Sequence, residues 1–204
     1  MKTDREYRSM ELRVLPQEEQ SGQYLVEGYA STFDPYVLMT IDGVDYSERL
    51  EPTAFDGADM SDVVFRVDHE GAVYARTSAG TVTLWTDEHG LAQRTDLGKT
   101  QRARDLFADI AVGNYPQMSF AFTVAAEHYE PETHTRVIER IGKVFDVSAV
   151  SFPANPFTEL SVTTRDYFNG VIEAERAERL EREALELKRH ELMERAKALG
   201  GKHD

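Results

Sequence analysis

The chain has no cysteine. A disulfide framework, a thiol nucleophile and a zinc site of the cysteine type are therefore excluded. No stretch approaches the roughly 18 consecutive apolar residues that a membrane-spanning helix needs. The opening MKTDREYRSMELR is polar and charged, unlike a secretory or transit leader, so the chain is expected to stay in the cytosol and off membranes. Basic residues are in deficit: 23 Lys and Arg stand against 37 Asp and Glu, a net charge of −14. Such a surface repels a phosphate backbone, and no nucleic-acid partner is expected. Neither a Walker-type phosphate loop nor a GxGxxG turn occurs, which leaves nucleotide-dependent chemistry unsupported. The six histidines make no HExxH motif and no cluster at ligand spacing, so no metal or other cofactor is expected.

What is present is enough for a packed core: 41% of the 204 residues are hydrophobic, which fits one main domain with an appendage. The charge is unevenly spread. Residues 171–204 hold nine acidic and eight basic side chains, so the first 170 carry nearly all of the excess. Residues 1–9 are polar and are expected to be flexible. From Met10 to about residue 165 the pattern is short β runs with turn punctuation. Gln23–Phe33 reads as a strand, Asp42-Gly43 as a tight turn, Asp62–His69 as a strand with a polar end, and Gly80–Asp96 as a hairpin. Ala103, Leu106, Phe107, Ile110 and Ala111 recur at helical spacing, and Gly113-Asn114-Tyr115-Pro116 stops that helix. Gln117–His128, Arg136–Ile141, Val144–Phe152 and Leu160–Thr164 read as further strands. Residues 166–204 are rich in Glu, Ala, Leu and Arg. They predict a charged helix from Tyr167 to Leu199 with two short, offset apolar stripes, too broken for a long regular coiled coil.

Three polar residues interrupt apolar strands: His69 at the end of VVFRVDH, Ser119 in QMSFAFTV and Asp146 in KVFDVSAVSF. A carboxylate amid β-branched residues is costly if buried without a partner. A histidine is a natural partner, because an acid fixes its tautomer and stabilises its cation. A serine beside that histidine can then lose its proton as it attacks a carbonyl. The residues alone leave other roles open. Asp146 can lie on the solvent face of a strand that alternates Val144, Asp146 and Ser148, Ser119 can be a hydrogen-bonded core serine, and His69 can be a surface residue.

Six segments, taken in order, sharpen the choice. They are GYASTF (Gly28–Phe33), ERLEPTAFDG (Glu48–Gly57), VVFRVDHE (Val63–Glu70), TSAGTVTLWTDEHGLAQRTDL (Thr77–Leu97), GNYPQMSFAF (Gly113–Phe122) and VFDVSAVSFPANP (Val144–Pro156). Together they resemble the prohead (procapsid maturation) protease family of tailed bacteriophages, distant relatives of the herpesvirus assemblin proteases. Thr53 stands where that family usually has Gly, and Asp68 where an Asn often precedes the histidine.

The resemblance implies a serine endopeptidase with Ser119 as nucleophile, His69 as general base and Asp146 as the acidic third member, a position the family usually fills with Glu. Activity is then expected to fall as pH drops through roughly 6–7. The turn Pro153–Pro156 offers the amides of Ala154 or Asn155 as oxyanion donors, since its proline nitrogens cannot donate. The implied fold is mainly β with peripheral helices, of α+β type: a herpesvirus-protease-like, closed or nearly closed antiparallel β-barrel over residues 10–165, followed by the long C-terminal helix. The implied substrates and partners are scaffolding protein or the scaffold-like segment of the major capsid protein precursor, and the chain itself, inside the procapsid in the bacterial cytoplasm; a homo-oligomer is also implied. The helix of residues 166–204 would bind scaffold or capsid, or be removed by self-cleavage. The competing expectations are a catalytically silent capsid or scaffold component with the same fold, and a β-sandwich binding module in which Ser119 and His69 lie far apart.

Overall fold

The computed structural model describes residues 6–14, 24–151 and 162–200. Its strands are β1 (Glu6–Val14), β2 (Leu25–Thr32), β3 (Tyr36–Ile41), β4 (Val44–Leu50), β5 (Val64–Val67), β6 (Glu70–Arg76), β7 (Val82–Thr86), β8 (Gly90–Asp96), β9 (Gln117–Glu130) and β10 (Thr135–Val150). Two α-helices, α1 (Gln101–Ala111) and α2 (Val162–Gly200), and one 3-10 turn (Thr77–Ala79) complete the described elements. Contacts divide the chain after Ser161 into a strand-rich unit and a unit formed by α2.

Turn chemistry sets several of these boundaries. Asp42 and Gly43 both take positive φ, 53° and 80°, which is what a two-residue turn joining twisted strands requires between β3 and β4. At the start of β8 the backbone of β2 comes so close that a side chain on Gly90 would lie 2.0 Å from the Ser31 carbonyl oxygen. Only glycine fits there. Helix α1 begins at Thr100, whose hydroxyl accepts from the Ala103 amide at 3.2 Å. It buries Ala103, Leu106, Phe107 and Ile110 in the core. Gly113, at φ 85°, ends it.

The strands follow the order β3-β4-β10-β9-β1-β2-β8-β7, with β5 paired to β10 and β6 to β5. Pairing is antiparallel except where β4 and β5 meet β10. The mainly β architecture with two helices, the long C-terminal one among them, is as expected; the closed barrel is not. Among the described residues β3 and β7 each pair with one neighbour only, so the hydrogen-bonded path stays open. The cause lies in β10. Its first half pairs with β4 and its second half with β5 along the same edge, so the sheet forks instead of running round.

The structure changes three other expectations. Residues 6–9, expected to be flexible, form the first half of β1, where they pair with β9. Their charges are not solvated: Glu6 and Arg8 are buried with Glu48 and Arg136. The two strands expected at Arg136–Ile141 and Val144–Phe152 are one 16-residue strand through Val150, because β-bulges absorb the irregular stretch around Gly142. Val162–Thr164, expected in a final strand, are helical and open α2 five residues before Tyr167. Their β preference is worth only about 0.5 kcal/mol per residue, less than the cooperativity of a long helix.

No helix among the described residues is long and apolar enough to cross a membrane. Within α2, Leu180, Leu185, Leu187, Leu192 and Met193 are exposed.

Candidate active site

Strand β9 carries Ser119. The alternation of QMSFAFTV puts Phe120 and Phe122 on one face, where their rings stack 4.5 Å apart in the core, and Ser119 and Ala121 on the other. Both faces are covered, and Ser119 is 1% exposed.

Asp146 reaches the face of Ser119 through a bulge. Val144 pairs with Phe122, but the next paired residues are Asp146 and Ala121. One residue of β9 is passed against two of β10, and Phe145 is the extra one. Val144 therefore shares a face with Phe122, while Asp146 and Ser148 share the face of Ala121 and Ser119. The simple alternation of Val144, Asp146 and Ser148 on one solvent face does not occur: all three are buried.

His69 comes from a strained turn. Val67 pairs with Glu70, which leaves Asp68 and His69 as a two-residue hairpin loop between β5 and β6. Both have positive φ, 46° and 58°. For side chains with a Cβ this conformation costs about 1–2 kcal/mol per residue, although Asp and His tolerate it better than most. Neighbouring groups hold the turn in place. The Asp68 amide donates to the Ala149 carbonyl at 3.0 Å. The Asp68 carboxylate accepts from the Ser151 amide at 3.0 Å. The Arg66 guanidinium donates to the His69 carbonyl at 3.0 Å. Asp68 also acts on Tyr115, whose hydroxyl is pushed above its ordinary range first by burial and then by that carboxylate.

These three routes converge. His69 Nε2 lies 2.7 Å from Ser119 Oγ. His69 Nδ1 lies 2.6 Å from Asp146 Oδ1. A carboxylate oxygen can only accept, so Nδ1 carries the ring proton and Nε2 is left to accept from the Ser119 hydroxyl. That is the arrangement a serine needs in order to lose its proton while attacking a carbonyl. All three candidate residues thus meet, and the separation expected of an unrelated β-sandwich binding module is absent. Ala154 and Asn155, the candidate oxyanion donors, lie outside the described residues. Sequence reasoning missed Ser148, whose hydroxyl donates to Asp146 Oδ1 at 2.8 Å. Its one signal, a position two residues after the acid, puts it on the same strand face as Asp146 but does not show that the face is buried.

A mainly β unit with a serine, a histidine and an aspartate in one hydrogen-bonded line has the architecture of a serine hydrolase. The model of the caudovirus prohead serine protease family matches residues 10–170. The chain belongs to that family, whose members are serine proteases of phage procapsid maturation. No curated protein and no solved structure matches the chain.

Proposed function

We propose that the protein is a serine endopeptidase in which Ser119, His69 and Asp146 do the chemistry. The observation that carries this is the unbroken hydrogen-bond line from Ser119 Oγ through both ring nitrogens of His69 to Asp146 Oδ1. Ser119 Oγ attacks the carbonyl carbon of a peptide bond, and its proton passes to His69 Nε2. Asp146 meets the charge that forms on the ring. The C–N bond then breaks as His69 returns the proton to the leaving amine. Water, deprotonated by His69, resolves the acyl-enzyme and restores Ser119. The amides of Ala154 or Asn155 receive the oxyanion.

The substrate is scaffolding protein or the scaffold-like segment of the major capsid protein, together with the chain itself. The setting is the procapsid in the bacterial cytoplasm, where a high local concentration confines the activity. Helix α2 serves as the scaffold- or capsid-binding tail, or is removed by self-cleavage.

The test is co-expression with the capsid precursor of the same phage, as wild type and as Ser119→Ala, followed by intact mass measurement. The expected result is trimmed capsid protein with wild type and full-length protein with the variant. Trimming by both removes Ser119 from the mechanism. Co-purification without trimming by either favours the silent capsid component.

A further inference from the structure

We propose that Ser148 is a positioning residue of this site: its hydroxyl sets the Asp146 carboxylate, which in turn sets the His69 ring. The proposal rests on the assignment of Ser119, His69 and Asp146 to the chemistry. Ser148 is completely buried. Its Oγ donates to Asp146 Oδ1 at 2.8 Å, and the His69 Nδ1 contact at 2.6 Å falls on that same oxygen. Two donors from different elements therefore converge on one acceptor. Among the described residues, His69 and Ser148 are the hydrogen-bond partners of Asp146.

The two donors are not held alike. His69 sits on a two-residue turn, whereas Ser148 lies inside β10, paired with Ser119 on one side and Arg66 on the other. The Ser148 backbone is thus fixed by the strand that carries the nucleophile and by the strand that leads to the base. A carboxylate that accepts from a fixed donor keeps its charge and its rotamer while the ring turns cationic, so less reorganisation accompanies the proton transfer.

The experiment uses the full chain and a fluorescent fluorophosphonate, which forms a covalent bond with an activated serine and needs no knowledge of the natural substrate. Labelling rate constants are measured from about pH 5 to 9 for wild type, Ser119→Ala, Ser148→Ala and Ser148→Thr, with the folded fraction of each checked by circular dichroism. Outer partners of metal-bound histidines typically matter 10- to 100-fold, and a loss of about ten-fold is expected for Ser148→Ala. The acid-side midpoint of its profile is expected at higher pH than in wild type, because a carboxylate with one donor fewer leans harder on the imidazolium. Ser148→Thr, which keeps the hydroxyl, is expected to restore both rate and midpoint.

An unchanged rate and profile in Ser148→Ala, with Ser119→Ala silent, overturns the proposal and leaves the Ser119 assignment standing. A slower rate with an unmoved midpoint that threonine does not rescue also overturns it, since lost packing alone would do that. Absent labelling of wild type, or equal labelling of Ser119→Ala, removes the assignment and the proposal together.

Discussion

At the scale of single residues, the site depends on which nitrogen of His69 carries its proton. Asp146→Asn tests this with little change of volume. The asparagine amide can donate to Nδ1, which drives the ring proton to Nε2, where it faces Ser119 and blocks acceptance. The expected loss in cleavage or labelling rate is about 10⁴-fold, with the fold retained. A loss below ten-fold would mean that Asp146 is only a buried neighbour. Ser119, His69 and Asp146 stand out in the sequence because each interrupts an apolar run, but the residues alone leave other roles open and the ordered resemblance singles them out. Ser148 does not: alternation puts it on the face of Asp146, but nothing local shows that this face is buried rather than solvated. The strain at His69 was hidden for a related reason. Asp68-His69 lacks the glycine or asparagine that marks such a turn, and its left-handed backbone is held by Ala149, Ser151 and Arg66, two of them on the far side of the sequence.

At the scale of elements, β1 shows how charge misleads. Its polar wording suggests a solvated tail, yet Arg8 donates to both oxygens of Glu48 at 2.6 Å. Arg136 donates to Glu6 at 2.7 and 2.8 Å and to Glu48 at 2.9 Å. Burial works against the Arg8 guanidinium, but Glu48, Tyr36 and Glu6 outweigh it and hold Arg8 well above its ordinary range. Tyr36 is pushed up as well, by burial and then by Glu48. Glu6 and Arg8 also pair with each other at 2.9 Å, but Glu48 and Arg136, which complete the buried cluster, are distant in sequence, so little local announces it. The cluster fastens β1 to β4 and β10, and β1 lies directly against the strand of Ser119. Glu48→Ala leaves two buried guanidinium groups short of a partner, which typically costs about 3–5 kcal/mol. The expected result is a large drop in the urea midpoint, with labelling of Ser119 lost at lower urea than in wild type. A change within about 0.5 kcal/mol, the range of an ordinary surface substitution, would show that the cluster is hydrated in solution.

Elements are also joined by pairs that acid dissolves. Asp59 is held well below the usual carboxylate range by Lys143, whose ammonium donates to it at 2.6 Å, and then by Ser61. Asp62 is lowered by Arg76 and then by Ser78. These pairs clip the segment between β4 and β5 to β10 and β6. Both carboxyl groups have folded values below their unfolded ones. The stability they contribute is complete above about pH 4 and is lost as pH falls through the folded values. Melting temperature is therefore expected to fall from about pH 4 towards pH 2, and to fall less steeply in Asp59→Asn, which starts lower at neutral pH. Parallel curves for the two proteins would rule out this pair as a contributor.

For the whole molecule, the proposed chemistry and the proposed delivery role fall on different stretches of the chain. Ser119, His69, Asp146 and Ser148 all lie within residues 24–151, while residues 171–204 are nearly neutral and expose five large apolar side chains on α2. The strand-rich unit carries nearly all of the negative charge, which favours solubility rather than any one partner. A tail that delivers the enzyme should be dispensable for the reactivity of Ser119 and needed for capsid processing. A chain ending at Glu173 removes every one of those exposed residues. It is expected to react with fluorophosphonate as wild type does, and to trim co-expressed capsid precursor much more slowly. Equal trimming would assign α2 no part in delivery. Loss of both activities, with a lowered melting temperature, would instead make α2 a support of the catalytic unit. A wild-type preparation whose mass already lacks the tail would make it a product of self-cleavage, and the same mass measurement on Ser119→Ala would then show the tail intact.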